Sequence, residues 1–319
     1  YRAKGDSDWL QVDPADVTSD GGTFVANIKG LLPQTTYEVA VRNGDQETPA
    51  QEFTTAPATK LPNASFEYAS LVSGSSYYKF YDPACGVADG ETMFWGSGNG
   101  EGSEGINGSA SMGIVITTID KQTKVDGKQS VCAMTSQMAG ILAAGNIFIG
   151  QYLKTDGTDG ILGWGRPFAS RPKALKGYVR YEPGTISYND CSISDKKAEM
   201  EAHMGETDQG TIYIIILDDT NKMTASSVDS GKESTWPIVI ETKKGQLVDV
   251  NRSNVIGYGQ AFFTATQSDG MIEFEIPIEY FRNDVKAANI AVTCSASRYG
   301  DYFCGGDSKM WVDDLELVY

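Results

Sequence analysis

Basic side chains are scarce in this sequence of 319 residues, where 26 Lys and Arg stand against 42 Asp and Glu, a formal charge of −16. Such a surface would repel nucleic acids and anionic membranes, so both are disfavoured as partners. Long hydrophobic runs are lacking too. The best candidate, residues 138–150, is shorter than the ~20 apolar residues of a membrane helix and is interrupted by Gly140, Gly145 and Asn146. The first residues do not form a signal peptide.

Histidine and paired cysteines are equally scarce. His203 is the single histidine, and no Gly-x-Ser-x-Gly motif accompanies it, so a histidine on the surface is expected rather than a Ser–His–Asp system. The cysteines show neither a CxxC pair nor the spacing of a zinc site. Cys294 and Cys304 could face each other across a loop, but small buried hydrophobes are the favoured interpretation. The five cysteines are Cys85, Cys132, Cys191, Cys294 and Cys304.

Short strand-like segments with glycine-rich connections make up most of the sequence. Met271–Ile278 alternates between apolar and polar residues, with its glutamates on the solvent face, and Tyr213–Leu217 is continuously apolar like a central strand. One short helix is predicted, with Ser194 as N-cap and Gly205 as its stop. These features favour an all-β sandwich over an α/β fold. The predicted strands are 113–119, 130–135, 175–181, 211–217, 237–241, 271–278, 290–295 and 310–318.

Residues 1–56 have the features of a separate β-domain. Leu31-Leu-Pro-Gln-Thr-Thr-Tyr37 is similar to the tyrosine-corner signature of fibronectin type III modules, and Tyr37–Val41 alternates like a half-buried strand. The first two strands of such a sandwich have no counterpart, so the module is predicted to be incomplete and the natural protein to extend upstream of Tyr1. Residues 57–62 contain two prolines and predict a short stiff linker before a second domain, 63–319.

The two ends of that second block resemble the first and last strands of a jelly-roll carbohydrate-binding module. Asn63-Ala-Ser-Phe-Glu67 opens the block and Trp311–Tyr319 closes it. In that architecture the two ends lie side by side, and acidic residues from both often hold a structural calcium. The resemblance therefore implies a large β-jelly-roll sandwich after the incomplete fibronectin-like one.

The last strand contains a carboxylate that needs a partner. Trp311, Asp313, Leu315 and Leu317 share one parity, so Asp313 points inward if the leucine face is the core. A bare buried charge costs several kcal/mol, and Glu67 and Asn63 could complete a calcium site with backbone carbonyls. The alternative places Asp313 at the solvent-exposed start of the strand with nothing bound. The predicted metal ligands are Asp313, Glu67 and Asn63.

Residues 61–319 are similar to the putative carbohydrate metabolism domain family (PCMD). The distinctive segments are Arg171-Pro-Lys-Ala-Leu-Lys-Gly-Tyr178 and Tyr299-Gly-Asp-Tyr-Phe303. The resemblance implies a secreted or outer-membrane surface protein of polysaccharide-using Gram-negative anaerobes, tethered through an upstream lipid anchor, with a polysaccharide or oligosaccharide as partner. It implies no catalytic residues and no organic cofactor. Other segments that carry it are Met93–Asn99, Ala143–Phe148, Gly165–Phe168, Ile256–Gly259 and Phe274–Tyr280.

Flat aromatic faces beside polar groups are the usual sugar contacts of β-sandwich proteins. Trp164–Arg166 and Tyr299–Tyr302 have this character, and their glycines would let a ligand approach the backbone. Trp95 lies beside Gly96–Gly105, which we predict to be a mobile surface loop rather than a phosphate loop. Each aromatic taken singly is more often a packing residue than a ligand contact. The predicted ligand-binding residues are Trp164, Arg166, Tyr299, Asp301, Tyr302 and Trp95.

Glycoside hydrolysis needs two carboxylates about 5–9.5 Å apart across a cleft. Asp218 and Asp219 are neighbours that point to opposite faces of a strand, whereas Glu273 and Glu275 share a face but alternate with core residues. The sequence therefore predicts a non-catalytic carbohydrate-binding protein, with a β-sandwich glycoside hydrolase as the alternative and a structural or adhesion protein as the third. A cleft holding such a pair would favour the hydrolase. A flat surface without aromatics over the loops would favour adhesion.

Overall fold

The computed structural model describes residues 1–72, 74, 76–80, 94–102, 105–106, 108–138, 140–226, 233–266 and 268–319. No helix in these ranges is long and apolar enough to cross a membrane. The strands of the first unit are β1 (Arg2–Ala3), β2 (Val17–Asp20), β3 (Thr23–Ala26), β4 (Thr36–Val39), β5 (Arg42–Asn43), β6 (Gln46–Glu47) and β7 (Gln51–Thr54).

The first unit is a three-stranded antiparallel sheet, β1-β4-β7, with two hairpins, β2–β3 and β5–β6. Tyr37 of β4 is buried, and its ring lies 5.9 Å from that of Phe53. The Tyr37 hydroxyl accepts a hydrogen bond of 2.9 Å from the backbone N–H of Leu32, five residues upstream. This is the bond that gives a tyrosine corner its role, although the fibronectin type III assignment itself stays a prediction.

The second block contains one helix, α1 (Ser194–Glu201), and twenty-four strands in the described ranges. The strands up to the helix are β8 (Ser70–Leu71), β9 (Tyr78–Lys79), β10 (Trp95–Gly96), β11 (Glu101–Gly102), β12 (Gly105–Ile106), β13 (Thr117–Asp120), β14 (Ser130–Met134), β15 (Ser136–Met138), β16 (Ile141–Ala143), β17 (Asn146–Asp156), β18 (Asp159–Trp164), β19 (Arg166–Pro167), β20 (Ala174–Glu182) and β21 (Tyr188–Asn189). Those after it are β22 (Gly210–Leu217), β23 (Met223–Ser226), β24 (Glu233–Trp236), β25 (Ile238–Glu241), β26 (Val255–Phe263), β27 (Ile272–Pro277), β28 (Glu279–Tyr280), β29 (Asn289–Ser295), β30 (Cys304–Gly305) and β31 (Lys309–Val318).

Two antiparallel sheets form the block. The nine-stranded sheet has the order β25-β18-β17-β29-β22-β26-β28, with β10 beside β17 and β19 beside β29. The five-stranded sheet has the order β13-β14-β31-β20-β27. The largest core cluster takes residues from both sheets, among them Ile147, Ile214, Leu175 and Val312, so it fills the space between them. The all-β sandwich predicted from the sequence is confirmed.

Strand β22 is apolar on both faces of the nine-stranded sheet. All eight of its residues are buried. Ile212, Ile214 and Ile216 pack between the sheets, whereas Tyr213 and Ile215 belong to a second cluster on the other side. The predicted central strand is therefore confirmed, and the outer face of this sheet is itself apolar and largely covered.

The two ends of the block meet in the five-stranded sheet. β31 lies between β14 and β20, and the N–H of Leu315 donates to the carbonyl of Ala64 over 3.0 Å. The predicted juxtaposition of the opening and closing segments is therefore confirmed.

A β-bulge in β31 overturns the predicted parity of the last strand. Asp314 has φ +46°, and between Asp313 and Glu316 the register with β20 shifts by one residue, opposite Gly177. Val312 packs between the sheets before the bulge and Leu315 after it, so Asp313 points to the outer face. Asp313 is nevertheless buried, because residues of the β13–β14 loop cover it.

Several local predictions need correction. The predicted surface loop begins inside the fold, since Gly96, Ser97 and Asn99 are buried and the Asn99 amide bonds the backbone of residues 116 and 117. Its residues 103 and 104 lie outside the described residues. Long β17 and β18 were missed because glycines and charged residues break their apolar pattern. Ile193, not Ser194, is the N-cap of α1, and Gly205 follows one turn beyond the helix end.

The cysteines behave as small apolar residues. The four that lie in the described ranges are free and buried: Cys132, Cys191, Cys294 and Cys304. Cys294 packs between the two sheets, and Cys304 belongs to a separate cluster beside α1, so the two do not face each other across a loop. Cys85 lies outside the described residues.

Candidate functional site

A cleft opens on the outer face of the nine-stranded sheet. Its empty space, including the part open to solvent, is about 780 Å³. Side chains from β17, β18, β25 and β29 line it, together with residues of the segments 98–116, 141–146 and 300–303. These segments are far apart in the sequence, so the cleft exists only in the folded chain.

Hydrogen bonds to β17 fix the wall formed by Gly98 and residues 108–112. The N–H of Gly98 donates to Asn146 Oδ1 over 2.8 Å, and the N–H of Gly108 donates to Thr155 Oγ1 over 3.1 Å. A Cβ on Gly108 would lie 2.8 Å from Gly98 O, so the wall has no room for a side chain there. The wall and the sheet therefore form one rigid surface.

Trp164 lies at the base of the cleft. It ends β18, opposite Gly150 of β17, and its ring is 5.7 Å from Phe148 and 5.8 Å from Tyr213. Only 3% of Trp164 is exposed, so it offers an edge to the cleft rather than a flat face. Its indole Nε1–H has no hydrogen-bond partner within the described part of the chain.

Other polar atoms of the lining share this property. Ser109 Oγ is buried and, among the described residues, lacks a partner. Thr293 Oγ1, also in the lining, lies near the hydroxyl of Tyr213 behind it, but neither makes a hydrogen bond of ordinary geometry within the described residues. Buried polar atoms in folded proteins are nearly always paired with protein, water or ligand. Three such atoms, in Ser109, Trp164 and Thr293, thus belong to residues that line the cleft.

Asp301 supplies the cleft with a carboxylate. It belongs to the short turn Gly300–Tyr302, and a Cβ on Gly300 would lie 2.7 Å from Ala144 Cβ, so the turn sits tightly against the β16–β17 connection. Within the described residues its carboxylate has no hydrogen bond and no ion pair. Burial raises the pKa of Asp301 to about 6. The pKa of Tyr213 rises for the same reason, and the charge of Asp301 adds to that rise.

Of the six predicted ligand-binding residues, the structure brings only Trp164 and Asp301 into the cleft. Trp95 is fully buried and its Nε1 donates to Pro62 O over 2.8 Å, so it has no face to offer a sugar. Buried Arg166 lies 4.9 Å from the Trp236 ring centre, and burial lowers its pKa to about 10.

Tyr299 and Tyr302 lie on the far side of the turn that carries Asp301. Tyr299 stacks on His203 with ring centres 4.5 Å apart, and Tyr302 lies 5.6 Å from the ammonium of Lys196. Neither tyrosine lines the cleft. The sequence reasoning also missed Ser109 and Thr293, because nothing local distinguishes them from other small polar residues.

The carboxylates considered for glycosidase chemistry lie elsewhere. Asp218 is buried and paired with Arg282 at 3.2 Å, and Asp219 is exposed. Glu273 and Glu275 are exposed on β27 of the other sheet, as predicted. Asp301 is therefore the single carboxylate among the described lining residues of the cleft.

The predicted metal ligands form a separate region, on the outer face of the five-stranded sheet. Asp313 Oδ2 accepts from the N–H of Val125 over 2.9 Å, and its Oδ1 accepts from the N–H of Asp314 over 3.0 Å. Both oxygens of Glu67 accept from the N–H of Lys128 over 2.8 Å. We call Glu67, Asp313 and the loop 121–129 that they hold the acidic clasp.

The predicted metal ligands make hydrogen bonds within the protein. The amide of Asn63 is used within its own turn, where it bonds the backbone N–H and C=O of Tyr68. Across the described residues, no group of three or more His, Cys, Asp or Glu side chains could hold a metal ion. Backbone N–H groups thus donate hydrogen bonds to the carboxylates of both Asp313 and Glu67. Calcium itself stays a prediction, to be tested with a chelator.

The acidic clasp places negative charges close together. Burial and the charges of Asp314 and Glu67 raise the pKa of Asp313 to about 7, although its two backbone hydrogen bonds oppose the rise. Burial and the charges of Asp126 and Glu67 also raise the pKa of Asp314.

Two solved structures, both described as putative glycoside hydrolases, have a similar fold. One is from Bacteroides thetaiotaomicron VPI-5482, with a TM-score of 0.53, 21% identity and coverage of 95% of this chain and 82% of that chain. The other is from Bacteroides vulgatus ATCC 8482, with a TM-score of 0.51, 20% identity and coverage of 79% and 94%. At this identity the likeness extends to the fold alone.

Comparison with curated proteins finds no match. The sequence profile of a family described as "Putative carbohydrate metabolism domain" matches residues 65–318, nearly the whole sandwich block. The match includes every strand that forms the cleft and both carboxylates of the acidic clasp. With most of its length matched, the chain belongs to the putative carbohydrate metabolism domain family.

Proposed function

We propose that the cleft of this carbohydrate-related domain binds a saccharide and holds it without cleaving it. The observation that carries the proposal is the meeting of unpaired polar atoms with apolar walls in one cleft. Sugars present both kinds of surface, since their hydroxyl groups seek hydrogen bonds and their ring C–H groups pack on apolar side chains.

Each part of the cleft has a role in this proposal. The Asp301 carboxylate can accept hydrogen bonds from hydroxyl groups, and Trp164 Nε1–H can donate one. Leu162, Ile240 and Phe303 supply apolar surface for the ring. The rigid wall and floor limit the entropy that the protein loses on binding, which favours affinity.

A glycoside hydrolase is the second candidate. Its supporting observation is Asp301, since a carboxyl group whose pKa is raised to about 6 suits a general acid. Hydrolysis needs a second carboxylate about 5–9.5 Å away, as base or nucleophile. The described lining supplies none, which is why binding without cleavage is the better-supported function.

Calorimetric titration with neutral cello-, xylo-, manno- and galacto-oligosaccharides tests the proposal. Asp301→Asn and Trp164→Phe remove, respectively, the charge and the indole donor while keeping similar shapes. Each is expected to weaken binding of the best ligand about tenfold, the effect of roughly 1.4 kcal/mol. Glu275→Gln, on the exposed face of the other sheet, is the matched control and is expected to bind like wild type.

The same samples are assayed for new reducing ends over a day. We expect none from any oligosaccharide. Release of reducing ends that Asp301→Asn abolishes would establish the hydrolase instead. Absence of binding to every saccharide, with no turnover, would leave a structural or adhesion role as the surviving alternative.

A further inference from the structure

The described lining of the cleft carries a negative charge and no positive charge. Among its described lining residues Asp301 is charged, and none is Lys, Arg or His. Its other lining residues are small, hydroxyl-bearing, amide-bearing or apolar, including Leu162, Ile240 and Phe303. A ligand in the cleft therefore meets one negative charge and no described positive charge.

Two cations that contact tyrosines flanking Asp301 are engaged with other partners. The guanidinium of Arg298 lies 4.3 Å from the Phe262 ring centre and donates to Gln209 Oε1 over 2.9 Å. Lys196 pairs with Glu199 at 2.6 Å and lies over the Tyr302 ring. Neither side chain lines the cleft, so neither neutralises Asp301 there.

The titratable groups that interact with the Asp301 carboxylate are neutral and do not cancel its negative charge. The groups close enough to feel that charge are the hydroxyls of Tyr213, Tyr258 and Tyr302, which belong to three different elements. Burial raises the pKa of all three, so they stay neutral between pH 5 and 8. A charge that is partly desolvated in a cleft acts more strongly on a ligand than one at the open surface.

We infer that Asp301 makes the cleft selective for uncharged saccharides and against saccharides that carry carboxylate or sulfate groups. The inference rests on the proposed function and adds the substrate class. A hydroxyl group can donate to the carboxylate, whereas an anionic substituent is repelled by it and finds no cation in the described lining. One residue then both holds the accepted ligand and rejects the anionic one.

The test compares one oligosaccharide with its own charged derivatives. The best neutral ligand among the cello-, manno- and galacto-oligosaccharides, which carry primary alcohols, is used unmodified, with those alcohols oxidised to carboxylates, and with the same positions sulfated. At pH 7.5 we expect wild type to bind both derivatives at least tenfold more weakly than the neutral parent. Asp301→Asn is expected to reduce that ratio severalfold, and Glu275→Gln to leave it unchanged.

A pH series on wild type gives a second measurement that needs no variant. The sulfated derivative stays charged throughout, and Asp301 takes up a proton as the pH falls below about 6. Discrimination against the sulfated derivative is therefore expected to shrink from pH 7.5 to pH 5. Circular dichroism at each pH and of each variant confirms that the fold is intact.

The outcomes separate the two proposals. The selectivity inference is wrong, and the binding function stands, if neutral and anionic forms bind equally well. The same holds if the ratio of neutral to anionic affinity of wild type at pH 7.5 is unchanged in Asp301→Asn and at pH 5. If no neutral saccharide binds, the proposed function fails and the inference fails with it.

Discussion

Each outer face of the sandwich holds a carboxylate, Asp313 fully buried and Asp301 only half-buried, and the two differ in their hydrogen bonds. Asp313, in the acidic clasp, accepts backbone N–H bonds on both oxygens. Asp301, in the cleft, has no partner among the described residues, and burial alone raises its pKa. A buried carboxylate with its bonds complete stabilises the fold. A desolvated carboxylate without hydrogen bonds lowers stability, and a ligand that donates to it can supply the missing bonds.

The largest expected effect comes from truncating the two carboxylates in turn. Asp313→Ala would leave the N–H groups of Val125 and Asp314 without their acceptor, at about 1–3 kcal/mol for a buried donor. Asp301→Ala removes no bond seen within the described chain, so its free energy of unfolding should equal or exceed that of wild type. Urea denaturation at pH 7.5 measures both.

Asp314→Asn is the control for that pair. Asparagine tolerates the left-handed backbone at φ +46°, and the change removes only a neighbouring negative charge. Its stability is expected to stay close to wild type. If Asp301→Ala lowers the free energy of unfolding as much as Asp313→Ala does, both carboxylates stabilise the fold and the proposed difference between the two faces is wrong.

The next effect concerns one glycine in each region. On Gly177, opposite the bulge, a Cβ would lie 2.7 Å from Leu315 Cδ2, a buried core atom. Gly177→Ala should therefore lower the free energy of unfolding by about 1–3 kcal/mol, the usual cost of overpacking, and leave saccharide binding intact. Denaturation and calorimetry on the same preparation check both halves of this expectation.

Gly300→Ala should affect saccharide binding more than stability. Its Cβ would meet Ala144 Cβ at 2.7 Å, so the turn that carries Asp301 has to move away from the β16–β17 connection. We expect weakened saccharide binding with a smaller loss of stability. Unchanged binding in Gly300→Ala would show that the position of the turn does not matter to the ligand.

A smaller effect is the pH dependence of stability that Asp301 causes. Its pKa in the folded chain, about 6, is above the ordinary carboxyl value, so the folded state holds the proton to higher pH than the unfolded state does. The stabilisation is fully present below about pH 4 and is lost as the pH rises through about 6. The melting temperature of wild type relative to Asp301→Asn should therefore fall between pH 4 and pH 7, and a constant difference would contradict this.

The smallest expected effect is that of a chelator. Because the oxygens of Glu67 and Asp313 already accept backbone N–H bonds, EDTA should leave the melting temperature unchanged. A fall in melting temperature on chelation that added calcium restores would confirm the calcium predicted from the sequence. It would also give the acidic clasp a second role, which Asp313→Ala should then abolish.

Much of the sandwich could be predicted from local sequence. The alternation in Ile272–Pro277 and the apolar run in β22 identify their strands, because side-chain period and burial follow directly from strand geometry. The last strand shows the limit. Its parity changes at Asp314, and nothing in Val312-Asp-Asp-Leu315 distinguishes a bulged strand from a regular one.

The candidate site was predictable only in part. Asp301 and Trp164 could be selected because an aromatic or a carboxylate next to glycine is a visible local feature. Trp95 has the same local features, yet it is buried in the core. Ser109 and Thr293 have no such feature. They matter because, after folding, both line the cleft and neither hydroxyl has a partner among the described residues.

The sequence by itself determined the strand content, which depends on local periodicity, and the resemblance to the family, which depends on residue order. The meeting of the two block ends was implied by the resemblance of those ends to a jelly roll. Tertiary structure alone decided which carboxylate has partners. Asp313 lies beneath a loop whose backbone N–H groups point at it, and Asp301 lies in a cleft whose walls offer it none in the described chain. The physical reason is that desolvation and hydrogen bonding depend on what surrounds a side chain in space, which its neighbours in sequence do not specify.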